Sequence, residues 1–210
     1  MKKIFNEFGV KYYENYLDQN TSFQIYDSFD VLEFTKIRQE KFGHYGHVFS
    51  VDQKTYPSKD ESYAAEFNVC IDPRKNTIFD DFFMNFIKNI KTDFPSMNYY
   101  IYPQVNKITT HTFWRSHVDT YAGDVGFTFF FTRNWKWDYG GILSFIKDDK
   151  AFQVFPNNGT LLLRNEVQKP PHYVSLVPPY VNKHYYLAVG WLSTVDKGSS
   201  DIRGDYIKIE

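Results

Sequence analysis

Residues 125–164, VGFTFFFTRNWKWDYGGILSFIKDDKAFQVFPNNGTLLLR, decide the fold. Four runs of strand length lie in this stretch: Val125–Thr132, Gly141–Ile146, Ala151–Phe155 and Thr160–Arg164. Each is aromatic or β-branched, as suits a pleated and half-buried surface. They are divided by turn chemistry at Gly140-Gly141, Asp148-Asp149 and Pro156-Asn157-Asn158-Gly159. Outward from this block the pattern repeats, with Asn98–Tyr102 and Thr110–His117 before it and Tyr173–Val177 and His184–Ser193 after it. Eight short strands at this spacing predict a mainly β (α+β) chain built as a double-sheet jelly roll. Another antiparallel sandwich with the same strand count is the alternative.

Before about residue 95 the spacing turns helical. Asp30–Phe42 sets Val31, Leu32, Phe34 and Ile37 among charged residues, with Asp30 as N-cap and Gly43 just past the end. The stronger helix is Thr77–Thr92, where Phe79, Phe82, Phe83, Phe86, Ile87 and Ile90 follow the i, i+3, i+4 pattern. Asp80 and Asp81 open it, Lys88 and Lys91 close it and Pro95 follows, in keeping with the helix dipole and its stop signals. The expected organisation is one domain over 1–210. It comprises a helical part at 1–97, a jelly-roll core at 98–195 and a tail at 196–210.

Composition narrows the class. Aromatic residues make up 20% of the 210 and supply ample surface to bury, which excludes intrinsic disorder. A formal charge of −1 offers no field for nucleic acid or an anionic membrane. Met1–Tyr13 lacks the continuous apolar run of a signal peptide, and no stretch approaches the roughly 20 apolar residues that span a bilayer. The single cysteine, Cys70, forbids an internal disulfide and a cysteine-rich zinc site, so a reducing cytoplasm is the simplest address.

Six histidines carry the chemical signal. At the end of a strand, His117 and Asp119 are two positions apart and so share a face, where imidazole and carboxylate converge on one ion. His172, opening a later strand, supplies a third donor. Two His and one carboxylate form the facial triad of non-haem Fe(II) oxygenases, which leaves coordination positions open for co-substrate and O2. His44 and His47 flank a loop dipeptide, while His111 shares parity with His117; all three read as solvated or satisfied groups. Trp114, Trp135, Trp137 and Trp191 read as core before pocket, and Cys70 as a small buried hydrophobe.

From about Tyr99 to Ser193 the chain resembles the prolyl 4-hydroxylase-type 2-oxoglutarate/Fe(II) dioxygenases. The likeness runs through His117-Val118-Asp119, Thr128, Asn134 and Trp137, then Gly140-Gly141-Ile142-Leu143 and Pro156-Asn157-Asn158-Gly159. It continues through His172-Tyr173-Val174 and ends in Tyr185-Tyr186-Leu187-Ala188-Val189 with Trp191. The resemblance implies a cupin-like double-stranded β-helix flanked by N-terminal helices. It makes His117, Asp119 and His172 both the catalytic and the metal residues. It implies Fe(II), 2-oxoglutarate and O2, with ascorbate as accessory reductant. The implied reaction couples formation of succinate and CO2 to hydroxylation of a small-molecule or peptidyl C–H.

The co-substrate residues depart from the family pattern. Tyr102-Pro103 resembles a segment whose Tyr reaches 2-oxoglutarate, but Thr132 stands where another Tyr is expected. In the last strand the family places an Arg or Lys about six residues before the Trp, to pair with the distal carboxylate. Here that position is Tyr185, or His184 with one extra residue allowed, and Lys183 adjoins them. Arg115, two before His117, is the first choice of replacement. Arg133 and Arg164 are further candidates that read more simply as strand-end charges in solvent. A mononuclear iron oxygenase with a different co-substrate and a non-catalytic jelly-roll binding module are the competing readings.

Overall fold

The computed structural model of the chain describes residues 2–6, 9–40, 47–48, 63–91, 100–119, 124–168, 170–195 and 207–208. The first half runs β1 (Lys2–Asn6), β2 (Val10–Glu14), α1 (Gln19–Ser28), β3 (Thr35–Glu40), β4 (His47–Val48), β5 (Tyr63–Cys70) and α2 (Thr77–Lys91). The second half runs β6 (Tyr100–Ile108), β7 (Phe113–Asp119), β8 (Val125–Phe131), β9 (Leu143–Lys147) and β10 (Lys150–Val154). It closes with β11 (Thr160–Asn165), β12 (His172–Val174), β13 (Tyr185–Ser193) and β14 (Ile207–Lys208).

All eight strands expected in the second half form, and α2 follows its apolar spacing. The strands pair in the order β1-β2-β11-β8-β13-β6-β5-β7-β12-β9-β10, every pair antiparallel. β5 is the corner: Asn68–Cys70 pair with β6, while Ala65 and Glu66 pair with β7. The β7-β12-β9-β10 run thereby folds back over the β2-β11-β8-β13-β6 run, which gives the mainly β jelly roll.

β8 shows why its sequence is so uniformly apolar: both of its faces are buried. Phe127, Phe129 and Phe131 turn outward onto α1 and α2, meeting Phe82, Phe83 and Phe86. Phe130 turns inward to join Leu162, Leu187, Val189, Phe145 and Tyr185 inside the barrel. One sheet thus separates two cores, one between sheet and helices and one between the two runs of strands.

The first half departs from expectation. Asp30–Phe42 is not a helix, because Thr35–Glu40 is a strand paired with β5 from Thr35↔Val69 onward. A sheet edge needing a partner has overridden a modest helical pattern. Gly43, the expected C-terminal stop, lies outside the described residues. The helix that does form is α1, capped by Asp18, whose side chain accepts from Thr21 N at 3.0 Å. The part before residue 97 therefore contributes strands β1–β5 as well as helices. Asn98–Tyr102 is also too short a reading, since β6 continues to Ile108. No helix among the described residues is long and apolar enough to cross a membrane, and Cys70 is buried.

Candidate metal centre

Strand pairing brings the three expected donors together. His117 lies near the end of β7 and pairs directly with His172 at the start of β12, so both imidazoles project from one cross-strand pair. Asp119 follows two residues on, with the same parity. His117 Nε2 lies 3.6 Å from Asp119 Oδ1, and His172 Nε2 lies 3.8 Å from Asp119 Oδ2. One donor atom from each residue falls within 4.8 Å of the others. All three side chains are buried.

Backbone carbonyls fix both rings. His117 Nδ1 donates to the Arg115 carbonyl at 2.6 Å, and His172 Nδ1 donates to the Pro170 carbonyl at 2.9 Å. A carbonyl only accepts, so the proton is on Nδ1 and the Nε2 lone pair faces Asp119. Burial holds both imidazoles neutral: His117 lies below its ordinary range, and His172 is pushed down to about 3 by burial and then by its neighbour His117. Two neutral imidazoles and a carboxylate suit a divalent first-row metal, and Fe(II) fits this donor set.

A fourth group closes on the triad. Arg164 Nη2 donates to Asp119 Oδ2 at 3.2 Å, and Nη1 lies 3.5 Å from His172 Nε2. Its Nε lies 2.9 Å from Glu166 Oε1. Arg164 is the only Lys or Arg that is buried among the described residues, and Glu166 is buried with it. Burial raises the Glu166 carboxyl to about 7, against the pull of Arg164. The solvated reading of Arg164 is therefore wrong. Strand parity explains why: Arg164 shares the inward face of β11 with Leu162, as Glu166 does beyond it. Leu161, Leu162 and Leu163 are all apolar, so alternation in the sequence alone does not tell which face Arg164 takes.

The pairing register places this group on one row across the larger run of strands. Arg164 pairs with Gly126, Gly126 with Trp191, and Trp191 with Tyr102. Tyr102 and Trp191 stack with centroids 5.5 Å apart at 9°. Gly126 admits the ion pair, since a Cβ there would collide with Glu166 Oε1 and lie 2.7 Å from Arg164 Nη2. Gly126→Ala is expected to cost about 1–3 kcal/mol of stability and to weaken metal affinity as the pair shifts. Thermal unfolding and a Co(II) titration of the variant check both effects.

The remaining expected co-substrate residues do not gather here. Thr132 lies six residues along β8 from Gly126, roughly 20 Å of strand, and its backbone N–H donates to Asn158. It lines a separate cavity of about 490 Å³ with Phe23, Arg133 and Asn157. Tyr185 is equally far from Trp191 along β13, fully buried, with its hydroxyl donating to the Gly141 carbonyl and Trp135 packed on its ring. His184 stacks on Tyr26 of α1, outside the barrel, and Lys183 is exposed. Arg115 is half-buried and meets the triad through its backbone carbonyl. Arg133 pairs with Asp27 at 2.7 Å on the surface.

The titrations predict how the metal-free protein responds to pH. Unfolded, the two histidines take up protons near 6.5; folded, they resist, so stability falls as pH drops below 6.5 toward about 3. Glu166 acts oppositely, its contribution being lost as pH rises from 4.5 through about 7. His172 and Glu166 roughly offset each other between pH 6.5 and 4.5, so the lowered His117 leaves a net loss of stability as pH falls through this window. Urea unfolding in chelator at pH 6.5 and 5 checks the slope, and His172→Gln should flatten it.

No protein-family model matches the chain, and no curated protein matches it in sequence. Its fold does match solved structures. A prolyl-4-hydroxylase from Pseudomonas putida superposes with a TM-score of 0.58 at 14% identity, over 89% of this chain and 93% of that one. A 2OG-Fe(II) oxygenase family oxidoreductase from Burkholderia pseudomallei gives 0.56 at 13% identity, over 97% and 90%. SnoN, an alpha ketoglutarate dependent epimerase from nogalamycin biosynthesis, gives 0.57 at 9% identity, over 96% and 90%. The chain shares the jelly-roll fold of these solved oxygenases, the fold that its sequence resemblance implied.

Proposed function

We propose that this protein is a mononuclear non-haem Fe(II) oxygenase that uses 2-oxoglutarate and hydroxylates an unactivated C–H of a small molecule or peptidyl residue. The observation that carries the proposal is the buried His117–Asp119–His172 group, on a barrel shared with a prolyl hydroxylase and with an epimerase. Iron would be held by His117 Nε2, His172 Nε2 and one Asp119 oxygen. When bound, it supplies O2 activation coupled to oxidative decarboxylation of the 2-oxo acid. The chain's own part is to keep both imidazoles neutral and oriented through the Arg115 and Pro170 carbonyls. Arg164 occupies Asp119 Oδ2, which favours one-oxygen ligation by Asp119 and leaves positions open for co-substrate.

The test is Fe(II)-dependent conversion of 2-oxoglutarate to succinate and CO2, with one oxygen atom gained by the substrate in mass spectra. Protein that binds iron stoichiometrically yet turns over only without 2-oxoglutarate would sink the co-substrate claim. Tyr185 at the expected anchor position favours a second reading, in which the same iron site takes a different acid as co-substrate. Turnover with a panel of 2-oxo acids separates the two.

A further inference from the structure

Arg164 and Glu166 are a buried ion pair that the metal triad does not require. Burying an arginine is costly unless its charge meets a fixed partner, and Glu166 Oε1 at 2.9 Å is that partner. The guanidinium then reaches past Glu166 to Asp119 Oδ2 and toward His172 Nε2. The two Nη groups make the contacts to Asp119 and His172, Nε lies at ion-pair distance from Glu166 without a hydrogen bond, and the guanidinium meets no further acceptor among the described residues. A planar fork with free donors beside a metal triad is suited to a carboxylate coordinated at that metal.

We infer that Arg164, held in place by Glu166, pairs with the metal-bound carboxylate of a 2-oxo acid. The site recognises such acids by this head group alone, with no cation for a distal carboxylate among the described residues. The inference rests on the iron and 2-oxo acid reading above and specifies the class of acid within it.

Two further observations support it. Behind the row of Arg164, Gly126, Trp191 and Tyr102 the paired rows turn neutral: Leu162, Thr128 and Val189 come next, then Thr160, Phe130, Leu187 and Asn106. The only buried Lys or Arg among the described residues is already at the triad, too close to the metal to meet the far end of an extended five-carbon diacid. Charge agrees. Asp119, Glu166 and Arg164 sum to −1 when ionised, and a divalent ion makes this +1, which one carboxylate neutralises. A second carboxylate on the neutral rows would be buried without a counter-ion.

The test compares 2-oxoglutarate with 2-oxopentanoate, which has the same chain length and no distal carboxylate. Both are titrated into anaerobic Fe(II)-loaded protein, followed by the visible band of the chelate and by calorimetry. We expect 2-oxopentanoate to bind at least as tightly as 2-oxoglutarate. The double variant Arg164→Gln/Glu166→Gln is loaded at saturating Fe(II), because Arg164 also positions Asp119, and should then bind both acids at least ~10-fold more weakly than the parent. Arg164→Lys, which keeps the charge and loses the fork, should fall between. Binding of 2-oxoglutarate at least ~10-fold tighter than 2-oxopentanoate overturns the inference, as does unchanged acid binding in the double variant. The wild-type comparison stands even if the variants fail to fold. If Fe(II) binds stoichiometrically and neither acid does, the 2-oxo acid reading itself fails and takes the inference with it.

Discussion

Asp119→Ala loses stoichiometric Fe(II) binding, with affinity reduced at least ~100-fold and turnover at background. Substitutions of groups that merely orient a ligand already cost about 10–100-fold in metal affinity, and Asp119 is a direct donor. It is also the only carboxylate of the triad, so its removal leaves two neutral imidazoles and no charge to offset a divalent cation. The fold should survive, because Arg164 keeps Glu166 as its counter-ion. Circular dichroism and thermal unfolding establish that the variant is folded, and iron analysis after desalting reads the loss. Parent-like iron occupancy in folded Asp119→Ala would remove the triad as the metal site. His172→Ala should behave likewise, since it removes one of the two Nε2 donors.

The largest effect on stability is expected at Phe129. Its side chain is completely buried, and its ring lies 4.8 Å from Phe86, 5.0 Å from Phe82 and 5.7 Å from Tyr16. It therefore joins α2, the chain just before α1 and the sheet at one point. Phe129→Ala should cost about 3–5 kcal/mol through lost transfer energy and the cavity left behind. That is a large share of the 5–15 kcal/mol typical of a whole domain. Phe129→Leu, which keeps much of the volume, should cost roughly 1.5 kcal/mol or less if the site repacks. Urea unfolding of the two variants checks the ratio. Metal affinity of the folded fraction should be unchanged, because Phe129 faces away from the barrel interior.

Legibility in the sequence followed the strength of local patterning. α2 could be read because six apolar positions repeat at helical spacing, and the eight later strands because turn residues separate them. β3 could not. Thr35–Glu40 carries a helical distribution of charge, and only pairing with β5, about thirty residues away, makes it a strand. α1 is mostly polar, with Ser22 and Ile25 its only buried residues, so its periodicity is faint and its cap at Asp18 is the better signal. The triad was visible because two donors sit at i, i+2 and the third opens a strand. The Arg164–Glu166 pair was missed for a different reason: isolated charges at a strand end ordinarily point to solvent. Only the register, through Gly126 and Trp191, shows which way they point. Arg115, two residues before His117, is the nearer candidate anchor in sequence, yet it meets the triad only through its backbone carbonyl among the contacts described. The buried cation came instead from β11, a strand distant from His117 in sequence.

The tie between the Tyr185 hydroxyl and the Gly141 carbonyl links the two runs of strands at the end remote from the histidines, with Trp135 wedged against it. Among the described residues that end of the barrel is filled by buried side chains, so reactants reach the triad from the other end. Whatever enters last lies across the way out of what entered before it, so reactants arrive and products leave in order. Product inhibition that is competitive towards the first reactant to enter would be the kinetic trace of that order.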